Sequence, residues 1–377
     1  MLNRRILRVK AMQALYGYFT AVESLKEVSR AELTRVHALD PAKHDFSDKA
    51  LFEARKKLAV KLFDENYLKS ETTFEGEVEE EVIKNVQAEI EDFQKKISFE
   101  AKNRKAEMLK DAHKIFDSYL RFLQLPIELQ HREKLDNEKR KKKITPFIDN
   151  KVIESLKSSE VLTEEIRKHS ISWGDEVDEI KDWYRREICT SEHLDDFFDG
   201  KIDSDSLVQE LFKKVIFKNE HITSFLENKN LHWSENQPIV KSMLLKTLKG
   251  LQDGSDLTLS DLTKNGKEDF DFFEQIYDQV LKENAELDAL IESKTKNWDV
   301  ERIALTDLVI LKIALVEMMT CPSIPMKVSI NEAIEISKQY STPKSKQFIN
   351  GVLDVLSNEL TSTGKVRKSG RGLIDNK

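Results

Sequence analysis

The stretch DVERIALTDLVILKIALVEMMTCPSIP, Asp299–Pro325, decides the fold class of this chain. Its second half is apolar at nearly every position, and charged residues interrupt it only at Lys312 and Glu317. A helix that is apolar on all sides is buried in the middle of a helical protein. Pro322 and Pro325 are expected to end the helix, because proline cannot continue it. The stretch therefore predicts a central buried helix.

Two further helices are predicted after this one. Ser329 and Glu332 have the spacing of a capping box, in which the hydroxyl accepts from an orphan backbone amide and the glutamate reaches back. Thr342 before Pro343 gives a second start signal, because proline is tolerated at the first helical position. The last helix is expected to bury four apolar side chains, those of Phe348, Ile349, Val352 and Val355.

The composition of the whole chain also indicates long helices. Only 11 Gly and 7 Pro occur in 377 residues, so turns are scarce. Charged residues make up 34% of the chain, above the roughly 25% of ordinary domains. We therefore expect an all-α protein with a charged surface. Within it, long helices are expected over residues 50 to 125, with a helix-packing seam formed by Ile83, Val86, Ile90, Phe93 and Ile97. A boundary is expected at Pro126 and the basic run around Lys141, and core positions at Trp173, Trp183 and Trp233.

Several classes of function are disfavoured by what the sequence contains. Two cysteines, Cys189 and Cys321, are too few for a disulfide framework, which favours a cytoplasmic protein. No stretch approaches the roughly 18 apolar residues of a spanning helix. The glycine-rich phosphate loop is missing, and Cys189 with His193 is too small a set to predict a metal site. We expect no catalytic residue, no metal and no cofactor.

The N-terminal segment RRILRVKAMQALYGYF, residues 4–19, combines helical periodicity with positive charge. Arg4, Arg5 and Arg8 precede the first acidic residue, Glu23. At about 100° per residue, Tyr16 returns to within about 20° of Arg5 around the helix. Arginines beside an aromatic ring suit single-stranded RNA, because guanidinium groups contact phosphates and rings stack on unstacked bases. An ordinary amphipathic surface helix is the alternative.

These segments resemble the transcription antitermination factor NusB family. KVSINEAIEISKQYSTPKSKQFINGVLD, Lys327–Asp354, is similar to its C-terminal signature, ERIALTDLVILKIALVEM to its central helix, and RRILRVKAMQALY to its arginine-rich first helix. The resemblance implies an all-helical, non-enzymatic protein of two small bundles. It also implies binding to the boxA element of ribosomal RNA leader transcripts together with NusE, a small-subunit ribosomal protein, within the transcription elongation complex.

The resemblance also assigns residues. It implies RNA binding by the first helix and by the loop before the last helix, through Arg4, Arg5, Arg8, Gln13, Tyr16, Lys344 and Ser345. It implies that Asp307, on the central helix, lies where the family meets NusE. Lys344 departs from the family pattern, since this position is acidic in the best-known members.

The organisation predicted along the chain has four parts. Residues 1–25 form the RNA-binding first helix, 26–269 a helical insertion that includes the remaining helices of the N-terminal bundle, 270–362 the NusB-like C-terminal bundle, and 363–377 a basic disordered tail. A further basic run, Lys139–Lys143, is either a solvated spacer or part of a polyanion-binding surface.

Two alternatives to antitermination remain open. The same helical domain occurs as an RNA-binding attachment on ribosomal RNA methyltransferases, so the chain could serve ribosomal RNA modification or maturation. Alternatively, the middle region is a helical scaffold for protein partners, and the NusB-like ends only frame it.

Overall fold

The computed structural model describes residues 1–40, 48–69, 74, 78–138, 145–295 and 303–376. These residues form α-helices and short 3₁₀ and π turns, with no β-strand among them. The all-α prediction is confirmed. The fifteen helices in the described part of the chain are α1 Arg4–Val36, α2 Lys49–Asn66, α3 Glu80–Asn137, α4 Lys151–Ser158, α5 Glu160–Lys168, α6 Val177–Asp182, α7 Glu192–Phe198, α8 Ser204–Leu211, α9 Glu220–Lys229, α10 Trp233–Gln252, α11 Lys267–Lys282, α12 Asn284–Lys294, α13 Leu305–Thr320, α14 Met326–Tyr340 and α15 Ser345–Ser362.

The chain divides into two compact units. The central unit comprises Met1–Arg4 and Lys110–Phe270, and the terminal unit comprises Arg5–Leu109 and Asp271–Lys377. Residues 26–109, the first part of the predicted insertion 26–269, belong to the same unit as the C-terminal helices. The first helix also runs to Val36 rather than ending near residue 25. None of the described helices is long and apolar enough to cross a membrane.

In the terminal unit, one hydrophobic core joins α1, α2 and the start of α3. Its buried residues are Leu33, Ala59, Leu62, Phe63, Val82, Val86, Ile90 and Phe93. The alternating three- and four-residue spacing of apolar residues in α3 predicts this seam, which is typical of helices that pack on helices. Phe63 and Phe93 meet edge to face with ring centroids 5.5 Å apart. These residues tie the long N-terminal helix into the unit.

Pro126 is not a boundary, in contrast to the prediction. Helix α3 continues through it to Asn137. A proline inside a helix removes one backbone hydrogen bond and costs about 3 kcal/mol. The neighbouring side chains Phe122, Leu125 and Leu129 are all buried, and their burial offsets that cost. The basic run Lys139–Lys143 lies outside the described residues.

The C-terminal helices of the terminal unit pack as a bundle in which α13 contacts α12, α14 and α15. As predicted, α13 is buried all round from Val309 to Met318. The capping box at Ser329 is wrong, because α14 already begins at Met326 and the Ser329 hydroxyl is buried in a contact with another helix. Helix α15 begins at Ser345, two residues later than Pro343 suggests.

The last helix buries three of the four predicted residues. Phe348, Ile349 and Val352 are buried, whereas Val355 is exposed. The reason is the helical phase, since the buried stripe continues through Leu353 and Leu356 instead.

The central unit has an aromatic core. Trp173, Trp183 and Trp233 are all buried, as predicted. Phe122 of α3 lies between Trp173 and Trp233, with ring centroids 6.2 and 5.5 Å away. Trp173 also donates from its indole nitrogen to the backbone of Arg121. Aromatic side chains bury large apolar areas, so this cluster gives the middle of the chain a core of its own.

The tail was expected to be disordered, but the structure places it against the α13–α14 turn. Val366 is buried, and the backbone nitrogen of Ser369 donates to the Pro322 carbonyl at 3.0 Å. The Lys368 ammonium donates to the Cys321 carbonyl, and a 3₁₀ turn follows at Gly370–Asn376. The Cys321 and Pro322 carbonyls follow directly after the end of α13, and donors from the tail hold it against them.

Candidate nucleic-acid interface

The start of α1 is more buried than an amphipathic surface helix would be. The apolar residues Leu7, Ala11 and Leu15 are fully buried, and residues 7–12 are buried without exception. The basic residues in this stretch therefore do not share one exposed face. Their positions must be considered one at a time.

Arg8 is buried in an ion pair. Its side chain is 6% exposed, and its guanidinium donates two hydrogen bonds to Glu317 of α13, at 2.5 Å from Nε to Oε2 and 3.0 Å from Nη2 to Oε1. Ser329 of α14 donates to the same carboxylate at 2.6 Å. Arg8 also lies over the Phe272 ring, 5.4 Å from its centroid. A buried charge needs such partners, so this arginine and glutamate neutralise each other inside the fold.

Direct RNA binding by Arg8 is therefore at odds with the structure. A phosphate cannot reach a guanidinium that is covered by three helices and held by a buried carboxylate. Its role here is to join α1 to α13 and, through Ser329, to α14.

Arg5 is different, because half of its side chain is exposed. It pairs with Glu332 of α14 through two hydrogen bonds, 2.8 Å from Nε and 2.9 Å from Nη2. The hydrogen bond to Glu332 raises the pKa of Arg5, and the nearby carboxylate of Glu335 acts in the same direction. Arg5 thus presents a charged, solvent-accessible guanidinium at the surface of the terminal unit.

Tyr16 and Gln13 complete the predicted residues of α1 in the terminal unit. Tyr16 is 44% exposed, and Gln13 is partly buried. Tyr16 follows Arg5 by eleven positions, which places the two residues on the same side of α1 and roughly 16 Å apart along its axis. The exposed guanidinium and the exposed ring therefore lie along one face of one helix.

Arg4 belongs to the central unit. It forms hydrogen bonds with Glu268 at 2.7 Å and with Asp269 at 3.2 Å. The Asp269 carboxylate is buried and also accepts from the backbone nitrogen of Asn265. Like Arg5 and Arg8, Arg4 is therefore paired with acidic residues that are distant in sequence.

Asp307 and Ser345, predicted for two different partners, form one hydrogen bond in the terminal unit. Ser345 Oγ donates to Asp307 Oδ2 at 2.7 Å, and both side chains are buried. The hydroxyls of Ser341 and Thr342 lie 3.0 and 2.8 Å from that of Ser345. A buried carboxylate is stabilised by such donors. Lys344, by contrast, is exposed at the start of α15.

Comparison with known proteins bears on the C-terminal half. The NusB family model matches residues 241–358. A transcription antitermination protein NusB from Desulfatibacillum aliphaticivorans is 40% identical over 97 residues, which are 26% of this chain and 68% of that relative. The chain belongs to the NusB family.

Two other NusB proteins show how far the likeness extends. The protein from Chloroherpeton thalassium is 46% identical over 105 residues, 28% of this chain and 50% of the relative. The protein from Salinibacter ruber is 44% identical over 104 residues, 28% of this chain and 65% of the relative. The chain thus spans between half and two thirds of these two NusB proteins. No solved structure matches it.

The matched residues include the central NusB helix and its acidic residues but not α1. Glu317, Glu332, Asp307 and Ser345 all lie within 241–358, whereas Arg5 lies outside it. The NusB-family region therefore supplies the carboxylates that hold the arginines of the first helix in the terminal unit.

Glu317 and Glu332 are the residues that sequence reasoning missed at this NusB-family site. One signal was available for Glu317, because an acid in an otherwise apolar buried helix requires a buried cation or donor. No local signal identified Glu332, whose partner Arg5 is 327 positions away in sequence. Among the described residues, no group of three or more His, Cys, Asp or Glu side chains could hold a metal ion.

Proposed function

We propose that this protein is a transcription antitermination factor that binds boxA-type ribosomal RNA leader transcripts together with NusE and promotes read-through by RNA polymerase. Membership of the NusB family supports this role for the C-terminal region. The protein acts in the cytoplasm within the elongation complex and performs no catalysis. The two alternatives, ribosomal RNA maturation and a protein scaffold, remain predictions.

The observation that carries the proposal is the exposed pair of Arg5 and Tyr16 on one face of α1. Arg5 supplies a planar, permanently charged group that binds a phosphate through two hydrogen bonds. Tyr16 supplies a ring on which an unstacked base packs, and such stacking contributes about 1–3 kcal/mol per base. Single-stranded RNA offers both partners at once, because its bases are not paired.

Gln13 and Lys344 have secondary roles in this proposal. Gln13 lies less than one turn before Tyr16 and offers amide groups to a base edge or a sugar hydroxyl. Lys344 adds an exposed positive charge at the start of α15. Phosphate contacts position the RNA, and contacts with bases select its sequence.

NusE binding is proposed at the surface around the first turn of α13. Asp307 is buried, so its effect on that surface is transmitted through the hydroxyl of Ser345. Replacement of Asp307 by Asn removes the negative charge that holds this hydroxyl. We expect weaker capture of purified NusE by the Asp307→Asn protein than by the unchanged protein.

RNA binding is tested by titrating the full chain against a fluorescently labelled boxA-like RNA and a scrambled RNA. Arg5→Gln and Tyr16→Ala are each expected to weaken binding about tenfold, because each removes one phosphate or stacking contact. Arg35→Gln is the matched control, since Arg35 is an exposed arginine at the other end of α1 that also pairs with a glutamate, Glu32. Equal affinity of all four proteins would contradict the proposed interface.

A further inference from the structure

The carboxylate of Glu332 lies close to two arginines of the first helix, Arg5 and Arg8. Its Oε2 is 2.8 Å from Arg5 Nε and 3.6 Å from Arg8 Nη1. Its Oε1 is 2.9 Å from Arg5 Nη2. The Glu332 side chain is 17% exposed, so most of it is covered by the fold.

The two arginines differ in what holds them. Arg8 has the buried carboxylate of Glu317 as its principal partner and is covered by the fold. Arg5 pairs with Glu332 in a geometry that uses both oxygens of the carboxylate. A phosphate that binds the Nε–Nη2 edge of Arg5 through two hydrogen bonds needs the same two N–H groups. Glu332 and an RNA phosphate therefore cannot both occupy this edge of Arg5.

We propose that Glu332 is an internal competitor of RNA, which holds the phosphate-binding edge of Arg5 until an RNA phosphate displaces it. This inference rests on the proposed function, because it concerns the same surface. When Arg5 turns to a phosphate, the Glu332 carboxylate remains beside Arg8 and is not left as a buried, unpaired charge. Arg8 thus lowers the cost of releasing Arg5.

The consequence is a uniformly lower affinity for polyanions. Breaking an exposed ion pair costs little, so the competition weakens RNA binding roughly two- to fivefold. Because Arg5 contacts a phosphate and not a base, boxA-like and scrambled RNA are affected by the same factor. The ratio of the two affinities is therefore unchanged, and base contacts alone distinguish the sequences.

The test is a double-mutant cycle on the full chain, with fluorescence anisotropy of labelled boxA-like and scrambled RNA. Glu332→Gln removes the competing charge and is expected to tighten binding of both RNAs roughly two- to fivefold. In the Arg5→Gln background, Glu332→Gln is expected to leave the RNA affinity unchanged, because the guanidinium for which Glu332 and the phosphate compete is already absent. Glu332→Asp keeps the charge on a shorter side chain and should tighten binding less than Glu332→Gln.

Glu335→Gln is the matched control. It removes an equal charge from the same helix and also near Arg5, but the ion pair of Glu335 is with Lys338, so it does not hold the N–H groups of Arg5. If Glu335→Gln tightens binding as much as Glu332→Gln, general electrostatics explains the effect and the inference is wrong. Thermal unfolding by circular dichroism confirms that each variant is folded.

The outcomes also separate this inference from the proposed function. If Arg5→Gln weakens RNA binding but Glu332→Gln does not tighten it, the interface stands and the competition is refuted. If Glu332→Gln tightens binding equally with Arg5 present or absent, competition for Arg5 is refuted as well. If Arg5→Gln has no effect on RNA binding in either background, the proposed interface itself fails.

Discussion

Ser345 donates a 2.7 Å hydrogen bond to the buried carboxylate of Asp307, which joins the start of α15 to the first turn of α13. The family resemblance implies that one of these residues serves RNA and the other NusE. Their contact makes them one structural element, so a change at either position is expected to affect the surface around both.

Ser345→Ala tests that element. The substitution leaves a buried carboxylate oxygen without this donor, which costs about 1–3 kcal/mol. We expect a corresponding loss in the free energy of unfolding measured with urea. Ser362→Ala is the control, because the Ser362 hydroxyl is exposed and donates only to its own helix. Equal stability of the two variants would contradict a structural role for the Ser345 hydroxyl.

The buried pair of Arg8 and Glu317 is expected to matter for stability and not for direct RNA contact. Arg8→Gln should lower the free energy of unfolding by about 3–5 kcal/mol, because it leaves a buried charge unpaired. The double variant Arg8→Met, Glu317→Leu should recover most of that loss, since it removes both charges. If Arg8→Gln is as stable as the unchanged protein but loses RNA binding, Arg8 contacts RNA and our interpretation is wrong.

Gly372 allows the tail to approach the α13–α14 turn. A Cβ atom at this position would lie 2.1 Å from the Pro322 carbonyl oxygen, so the backbone must move in Gly372→Ala. We expect faster tryptic cleavage after Lys365, Arg367, Lys368 or Arg371. Gly351→Ala is the control, because Gly351 lies in the middle of α15 and a Cβ atom added there would contact no other atom within 4 Å. It should leave cleavage unchanged and increase stability by about 0.5–1 kcal/mol.

The hydroxyl of Tyr119 in the central unit gives a pH-dependent prediction. It lies 2.6 Å from the Thr247 hydroxyl and accepts from the Ser260 backbone nitrogen at 3.0 Å, and burial raises the pKa of Tyr119 above its ordinary value of 10.0. Tyr119→Phe should cost about 1–3 kcal/mol at neutral pH, because two buried groups lose a partner.

Above pH 10 the stability difference between the unchanged protein and Tyr119→Phe should narrow. The unfolded chain releases the tyrosine proton near pH 10, whereas the folded chain retains it to higher pH. The folded state then binds more protons, so its stability falls as the pH rises, and phenylalanine has no such proton. Urea unfolding at pH 8 and pH 10.5 measures this difference. A constant or widening difference would contradict the argument.

Local sequence patterns predicted much of the fold. The all-round apolar run gave the buried helix α13, and three- and four-residue spacing gave the seam of α3 at Val86, Ile90 and Phe93. These features depend on residues within a few turns of one another. The boundary predicted at Pro126 was wrong for the opposite reason. The buried side chains that offset the free-energy cost of this proline could not be assigned to a core without the fold.

The candidate site was less predictable, because its properties depend on distant residues. Arg8 and Arg5 are both basic residues in the first turns of α1, and nothing in the nearby sequence distinguishes them. Arg8 is buried because it pairs with Glu317, which is 309 positions away. Ser329 has the spacing of a helix cap, but its hydroxyl serves Glu317 on another helix. Local spacing identifies which residues are charged or hydrogen-bonding, whereas tertiary contacts decide which of them remain available to a ligand.

The most direct test of the account is to titrate the full chain and its Arg5→Gln variant against boxA-like and scrambled RNA across a salt series, with and without purified NusE. We predict tighter binding to the boxA-like RNA, further tightening with NusE, and weakening as salt increases. We also predict that Arg5→Gln loses affinity and has a shallower salt dependence, because one phosphate contact is gone. Equal, weak binding of both RNAs by both proteins would contradict the proposed function.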